Sequence, residues 1–271
     1  MKKIVITGAA SGLGEALAKH YAKQGWAVCV ADIQEEAGQA LAQQLASAHG
    51  TDCFFHSLDV TSESQWQDLY NAVAARWKGV DALINNAGVA SSGDIDDLPL
   101  KDFQWTIDVN LMGVVKGCYF FTPMLKKQGG YIINVASMAG LIHVPGMSAY
   151  NVSKAAVVAL SETLCAELES YNIKVSVLCP AFFQTNLTKN MRATHSAGIK
   201  VANRLMENSS VTADDIAAQV FTDSAAGKFH ILTHKRENMF WRLKRFLPKA
   251  YMNLMKKTGE KMHKKMTEKS A

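Results

Sequence analysis

Short apolar, β-branched runs alternate along this chain with stretches whose apolar positions recur every three or four residues. "KIVIT" (3–7), "AVCVAD" (27–32), "DCFFHS" (52–57), "ALIN" (82–85), "YIINVA" (131–136), "KVSVLC" (174–179) and "KFHILT" (228–233) read as strands. Most of these are continuously apolar rather than alternating, as befits strands covered on both faces of a parallel sheet. Helical patterns fill the intervals, at about 12–24, 35–47, 63–77, 101–127, 149–170 and 213–222. Strand–helix alternation repeated this often predicts an α/β fold, a doubly wound seven-stranded parallel sheet flanked by helices. No linker divides it. We read one domain over 1–234 and a C-terminal extension over 235–271.

Composition changes this picture at one place. The extension holds twelve Lys/Arg against three Glu, whereas residues 1–234 hold 17 basic and 21 acidic residues. Within the extension Phe240, Leu243, Leu247, Tyr251 and Leu254 form an apolar stripe flanked by Arg242, Lys244, Arg245, Lys249, Lys256 and Lys257. Pro248 should separate two short helices, with disorder past Thr258. Such a stripe either packs on the body or a partner subunit, or lies on an anionic membrane surface. No nucleic-acid motif accompanies the charge, so no nucleic-acid partner is expected. No apolar run reaches the length of about 18 residues that a span needs, and "MKKIVI" reads as a first strand rather than a leader. Five cysteines stand singly, as expected of reduced thiols in the cytoplasm, and no histidine spacing suggests a metal.

The chemistry begins with "TGAASGLG" (7–14), between the first strand and the first helix. Gly8 allows a turn closed to side chains, and Gly12 and Gly14 let a phosphate and the helix approach. The helix N-terminus then faces the anion. The spacing G-x-x-x-G-x-G differs from the common Rossmann G-x-G-x-x-G. Asp32 ends the second strand, where a carboxylate accepts both ribose hydroxyls and repels a 2′-phosphate. Ile33 follows, and neither Ala10 nor Ser11 is basic, so NAD is expected over NADP.

Tyr150 and Lys154 lie one helical turn apart in "YNVSK" (150–154). A neighbouring ammonium and an oxidised nicotinamide both lower a phenol's pKa, which suits Tyr150 to exchange a proton with an alcohol or carbonyl oxygen. Ser137, in "NVASMAG" (134–140), is placed to hold that oxygen by a hydrogen bond.

Together "TGAASGLG", "NNAG" (85–88), Ser137 and "YNVSK" resemble the classical short-chain dehydrogenase/reductase family over about residues 1–234. The resemblance implies a Rossmann-type fold with Asn110, Ser137, Tyr150 and Lys154 as catalytic residues. Asn110 would hold a relay water and Lys154 the nicotinamide ribose. Thr7, Gly8, Ser11, Gly12, Leu13 and Gly14 would bind the pyrophosphate side, with Asp32 and Ile33 at the ribose and Asp59 and Val60 at the adenine. Asn85, Ala87 and Gly88 would shape the floor, Asn86 and Pro180 would also contact the cofactor, and Thr185 would reach the carboxamide. Ala181 stands where the family usually has glycine, which asks for a local conformation open to a Cβ.

A lid over about 181–210 is implied, with Phe182, Phe183, Leu187 and Met191 facing "MAGLIHVPGM" (138–147). Its character predicts an apolar, lipid-like alcohol or ketone; Lys189 and Arg192 lie further along. A homodimer or homotetramer is implied through about 101–127 and 149–170. The protein is expected in the cytoplasm, with possible peripheral membrane contact. Two other functions stay open at this point: a non-catalytic nucleotide sensor acting through the extension, and epimerisation or dehydration.

Overall fold

The computed structural model describes residues 1–185 and 191–267. Its strands are β1 (Lys3–Thr7), β2 (Ala27–Asp32), β3 (Phe54–Ser57), β4 (Ala82–Asn85), β5 (Ser91–Ser92), β6 (Gly130–Val135), β7 (Ile173–Leu178), β8 (Arg192–Ala193) and β9 (His230–Ile231). Seven of them pair, all parallel, in the order β3-β2-β1-β4-β6-β7-β9; β5 and β8 pair separately. The helices are α1 (Gly12–Lys23), α2 (Glu35–His49), α3 (Glu63–Trp77), α4 (Leu100–Ile107), α5 (Gly113–Leu125), α6 (Ala139–Ile142), α7 (Ser148–Leu168), α8 (Ser196–Glu207), α9 (Ala213–Ala225), α10 (Lys235–Phe246) and α11 (Pro248–Thr267).

The continuous apolar runs are explained by the register. Cys29, Val5, Leu83, Ile132 and Val175 form one row across the sheet. They pack under Trp66, Leu69, Phe121 and Val157 from α3, α5 and α7. The adjacent row, Val30, Ile6, Ile84 and Ile133, faces the other way onto Leu17, Tyr21, Leu41, Leu45, Ile216 and Val220 from α1, α2 and α9. Each such large side chain contributes about 1.5–3 kcal/mol by leaving water. Strand order reverses between β1 and β4, which opens a crevice at their carboxyl ends.

Several elements depart from expectation. The helix expected over 101–127 is two, joined by a π turn over Asp108–Met112, and Asn110 in that turn is fully buried. The third strand starts at Phe54 rather than Asp52, because the Asp52 carboxylate turns away to accept from Arg76 and from Trp77 Nε1. The last strand keeps only His230 and Ile231 of the expected 228–233. The lid region contains α8, which was not foreseen. Leu247 is non-helical before Pro248, as the proline ring requires. The second extension helix, however, is long and continues past Thr258 to Thr267. The extension docks on the body: Trp241 packs against the core and tilts over the His230 ring at 5.2 Å. Among the described residues no helix is long and apolar enough to cross a membrane.

Candidate active site

The crevice is floored by the first turn. Gly8 (φ 62°) and Gly12 (φ 56°) occupy left-handed backbone. A Cβ on Gly14 would lie 2.0 Å from the Gly8 carbonyl oxygen, so helix α1 can seat itself only without one. Ser11 precedes α1 in extended backbone and its side chain makes no capping bond. The first-turn N–H groups of Gly12, Leu13 and Gly14 therefore have no intrahelical acceptor and stand free at the carboxyl end of β1. Among the described residues a new Cβ on Gly12 would meet only Thr185, at 3.8 Å. A cradle of this shape, lined by N–H donors, fits a diphosphate.

Other expected cofactor residues turn out to be braces as well. Thr7 Oγ1 accepts from the N–H groups of Asn86 and Ala87, both at 3.0 Å, so it ties β1 to the 85–88 turn. Asn86 Nδ2 returns bonds to the carbonyls of Thr7 and Gly8. Asp32 is buried and accepts from Ala10 N–H at 2.9 Å and Gln34 N–H at 3.0 Å, which fixes the carboxylate on the rim of the glycine turn. Ile33, beside it, is 68 % exposed. Asp59 accepts from Thr61 N–H and Oγ1, and Val60 is buried with its carbonyl on Trp66 Nε1. Asn85 does not shape the floor; it is buried and donates to Asn134, which in turn donates to Ser161 on α7.

Helix α7 carries Tyr150 and Lys154 on one buried face. Lys154 Nζ lies 5.9 Å from the Tyr150 ring centroid and donates to the Val135 carbonyl at 2.9 Å. Ser137 Oγ accepts from Ala139 N–H at 3.1 Å and hydrogen-bonds the Tyr150 phenol. The carbonyl of Pro180 accepts from Ser137 Oγ and Met138 N–H, which joins the end of β7 to this segment. A Cβ on Gly88 would sit 3.2 Å from Asn110 Oδ1 and 3.4 Å from Lys154 Nζ, so the 85–88 turn slots between those two side chains. Asn110 itself is a brace: its amide bonds the N–H and carbonyl of Val89 at 2.8 and 2.9 Å and donates to Ser153 Oγ at 3.1 Å.

The protonation energetics correct one expectation. Burial pushes the Tyr150 phenol above its usual 10.0, and the group that pulls it back is Ser137, not Lys154. Burial lowers Lys154 to about 8, so the amine is itself poorly held as a cation.

The lid side is more deeply packed than its sequence suggested. Phe183, Met138 and Leu141 are core residues, while Phe182 and Met191 are half-buried. Leu187 and Lys189 lie outside the described residues. Arg192 is paired with Asp102 at 2.8 Å and stacked on Trp105 at 3.8 Å. Ala181 needs no glycine-like conformation. Among the described residues only Lys78, His143 and Asn172 are left-handed without being glycine, and the Ala181 N–H donates to His234 Nδ1. Val89, Ser153 and His234 were not singled out from sequence. Ser153 stands inside the quoted "YNVSK", but nothing in spacing reveals its partner.

The short chain dehydrogenase family model matches residues 2–196. The chain is 34 % identical over 257 residues to a CLA biosynthesis dehydrogenase/reductase of Lactiplantibacillus plantarum, covering 88 % of this chain and 89 % of that one. It superposes with TM-score 0.86 and 33 % identity on a short-chain dehydrogenase/reductase from Burkholderia phymatum in complex with NAD, covering 90 % and 92 %. An alcohol dehydrogenase from Thermococcus sibiricus complexed with 5-hydroxy-NADP matches with TM-score 0.76 and 26 % identity, covering 86 % and 96 %. Sheet order, the left-handed glycine turn, the buried Tyr150–Lys154 face and these likenesses converge: the chain belongs to the classical short-chain dehydrogenase/reductases.

Proposed function

We propose that the protein interconverts an alcohol and its carbonyl with a nicotinamide dinucleotide, NAD in preference to NADP. The observation that supports this most is the joining of Ser137, Tyr150 and Lys154, with Lys154 Nζ beside Gly88 of the turn that Asn86 ties to the Thr7 and Gly8 carbonyls. When bound, the nicotinamide supplies the hydride site and, oxidised, a positive charge that offsets the burial-driven rise at Tyr150. Ser137 Oγ holds the substrate oxygen, and Tyr150 Oη takes or returns its proton. Lys154, lowered to about 8, can pass that proton onward and would hold the nicotinamide ribose of a bound cofactor. Asn110 acts as a positioning residue for Lys154 and the 85–88 turn, since both hydrogens of its amide are committed within the protein. Asp32, Ile33, Asp59 and Val60 would hold the adenosine half, and Thr185 the nicotinamide half. The NAD preference rests on Asp32, whose buried carboxylate on the cradle rim repels a 2′-phosphate.

The substrate is an apolar alcohol or ketone. Half-buried Phe182, Met191 and Ile142 support this, with Arg192 already neutralised by Asp102. Exposed Tyr119 (72 %), Leu100 and Val152 on α5, α4 and α7 support a homo-oligomer through those helices. The outer face of the extension carries Phe246, 74 % exposed, with Leu247 and Met252 among Arg242, Arg245 and Lys249. This supports peripheral contact with an anionic membrane surface. Co-sedimentation with phosphatidylglycerol vesicles, lost on removing 235–271, is the expected result.

The deciding experiment is Tyr150→Phe, assayed by NADH absorbance over a panel of apolar alcohols. The ring volume stays and the proton goes, so turnover is expected to fall by about 10²–10⁴-fold. Wild-type turnover in the variant overturns the reading.

A further inference from the structure

The segment that follows Ser137 cannot hold its own shape. Helix α6 stops after one turn, which leaves its last carbonyls without helical partners. The chain then passes through His143 at φ 38°, left-handed backbone that costs a side-chain-bearing residue on the order of 1 kcal/mol. The partners come from the extension, more than a hundred residues away. Lys244 Nζ donates to the Leu141 carbonyl at 2.6 Å and to His143 Nδ1 at 2.9 Å, while His143 Nε2 donates to the Gly140 carbonyl. The Tyr251 hydroxyl donates to the Ile142 carbonyl. Tyr251 is only 3 % exposed, on a helix whose neighbouring residues face solvent.

On its other side the same segment rests on the catalytic helix. A Cβ on Gly140 would lie 2.6 Å from the Lys154 carbonyl, so α6 sits directly against α7. Asn151, next to Tyr150, donates to the Val144 carbonyl at 2.7 Å. The far end of the segment is tied to β5, where the Gly146 carbonyl accepts from Gly93 N–H and Ser92 Oγ. β5 in turn pairs with β8 of the lid. The segment is thus a thin layer between the extension and the Ser137–Tyr150 pair, continuous with the lid.

We propose that Lys244 and Tyr251 are positioning residues for the reaction: by holding the carbonyls of Leu141 and Ile142 they clamp the Ser137–Gly146 segment onto α7 and set where the substrate's reacting carbon sits beside Tyr150. The clamp rests on the dehydrogenase reading above. Its residues act through the segment and not on the reacting atoms, so they govern substrate fit more than cofactor binding or proton transfer.

The test uses the full chain with Tyr251→Phe, Lys244→Met, the double variant, and Lys244→Arg as the conservative rescue. Tyr251→Phe keeps the packed ring and removes only the donor. Hydrogen exchange of residues 139–146 is expected to quicken about tenfold in each single variant, the size of one lost hydrogen bond. With cyclohexanol and straight-chain secondary alcohols as probes, KM is expected to rise about five- to tenfold while kcat moves less than about threefold. NADH affinity stays at the wild-type value, and Lys244→Arg recovers most of the KM. A merely structural role would move melting temperature and NADH affinity together and give no such split. Unchanged exchange, or unchanged KM in a protein that does oxidise these alcohols, overturns the clamp. A wild-type protein that oxidises none of them overturns the dehydrogenase reading and the clamp's catalytic role with it, a result recognisably different from the first two.

Discussion

The glycine cradle and the C-terminal clamp serve the same crevice and are built by opposite means. The cradle is made from neighbours in sequence. Gly8, Gly12 and Gly14 set backbone geometry, and the groups proposed to meet the cofactor are main-chain N–H groups at the start of α1. The clamp is made from side chains, Lys244 and Tyr251, that reach across more than a hundred residues to finish a helix too short to satisfy itself. A backbone device has no spare volume and fails abruptly when an atom is added. A side-chain device loses one bond at a time and fails by degrees.

The sharpest way to break this contrast is Gly14→Ala. Its new Cβ would lie 2.0 Å from a backbone oxygen, so α1 must shift. NADH affinity, read by fluorescence titration, is expected to fall about a hundredfold or more, with a stability loss of about 2 kcal/mol or more. If alanine were tolerated there, the cradle would be as forgiving as the clamp and the contrast would fail. Asp32→Ala is the next largest. It removes a buried carboxylate that also holds the Ala10 N–H. The ratio of kcat/KM with NAD to that with NADP is expected to drop about ten- to a hundredfold. An unchanged ratio would leave cofactor choice to some other residue.

The smallest effect concerns pH. Lys154 titrates at about 8 in the folded chain and at 10.5 in the unfolded one. Between those values the unfolded chain binds the extra proton, so this residue's contribution to stability rises with pH from about 8 to 10.5 and is lost as pH falls through 8. Buried Cys118 and Cys179, both raised to about 12, act in the opposite sense above pH 9. The measurement is therefore a difference. Lys154→Met should be relatively more stable near pH 7, and its advantage over wild type should shrink by up to about 1 kcal/mol per pH unit between pH 8 and 10. A constant difference in denaturant midpoint across that range would contradict the depressed amine.

The same contrast explains what could be read from the sequence. The sheet was legible because each central strand is buried on both faces, so Val5 and Ile6 are both apolar although they point to opposite layers. The glycine turn, Ser137, Tyr150 and Lys154 were legible because their signals are local: a strand end, a turn, a four-residue step. The π turn at Asp108–Met112 was not, since it exists to deliver Asn110 to Val89 and Ser153, partners 21 and 43 residues away. Thr7 and Asn85 had the right type and position, yet their hydrogen bonds run inward, to the 85–88 turn and to Asn134. Ala181 asked for a backbone open to a Cβ, and the sequence does not reveal that its backbone is not left-handed or that His234 receives its N–H. Lys244 and Tyr251 read only as members of a basic, apolar stripe, because nothing near them in sequence announces which carbonyls they meet.

Protein synthesis proceeds in one direction, and that gives the distance from Ile142 to Tyr251 a meaning in time. A growing chain presents β1 through β7 before Lys244 and Tyr251 have been made. Tyr150, Ser137 and the glycine turn then exist together well before anything grips the stretch between Leu141 and His143. In the growing chain the Leu141 and Ile142 carbonyls therefore gain their side-chain partners only after all nine described strands have been made.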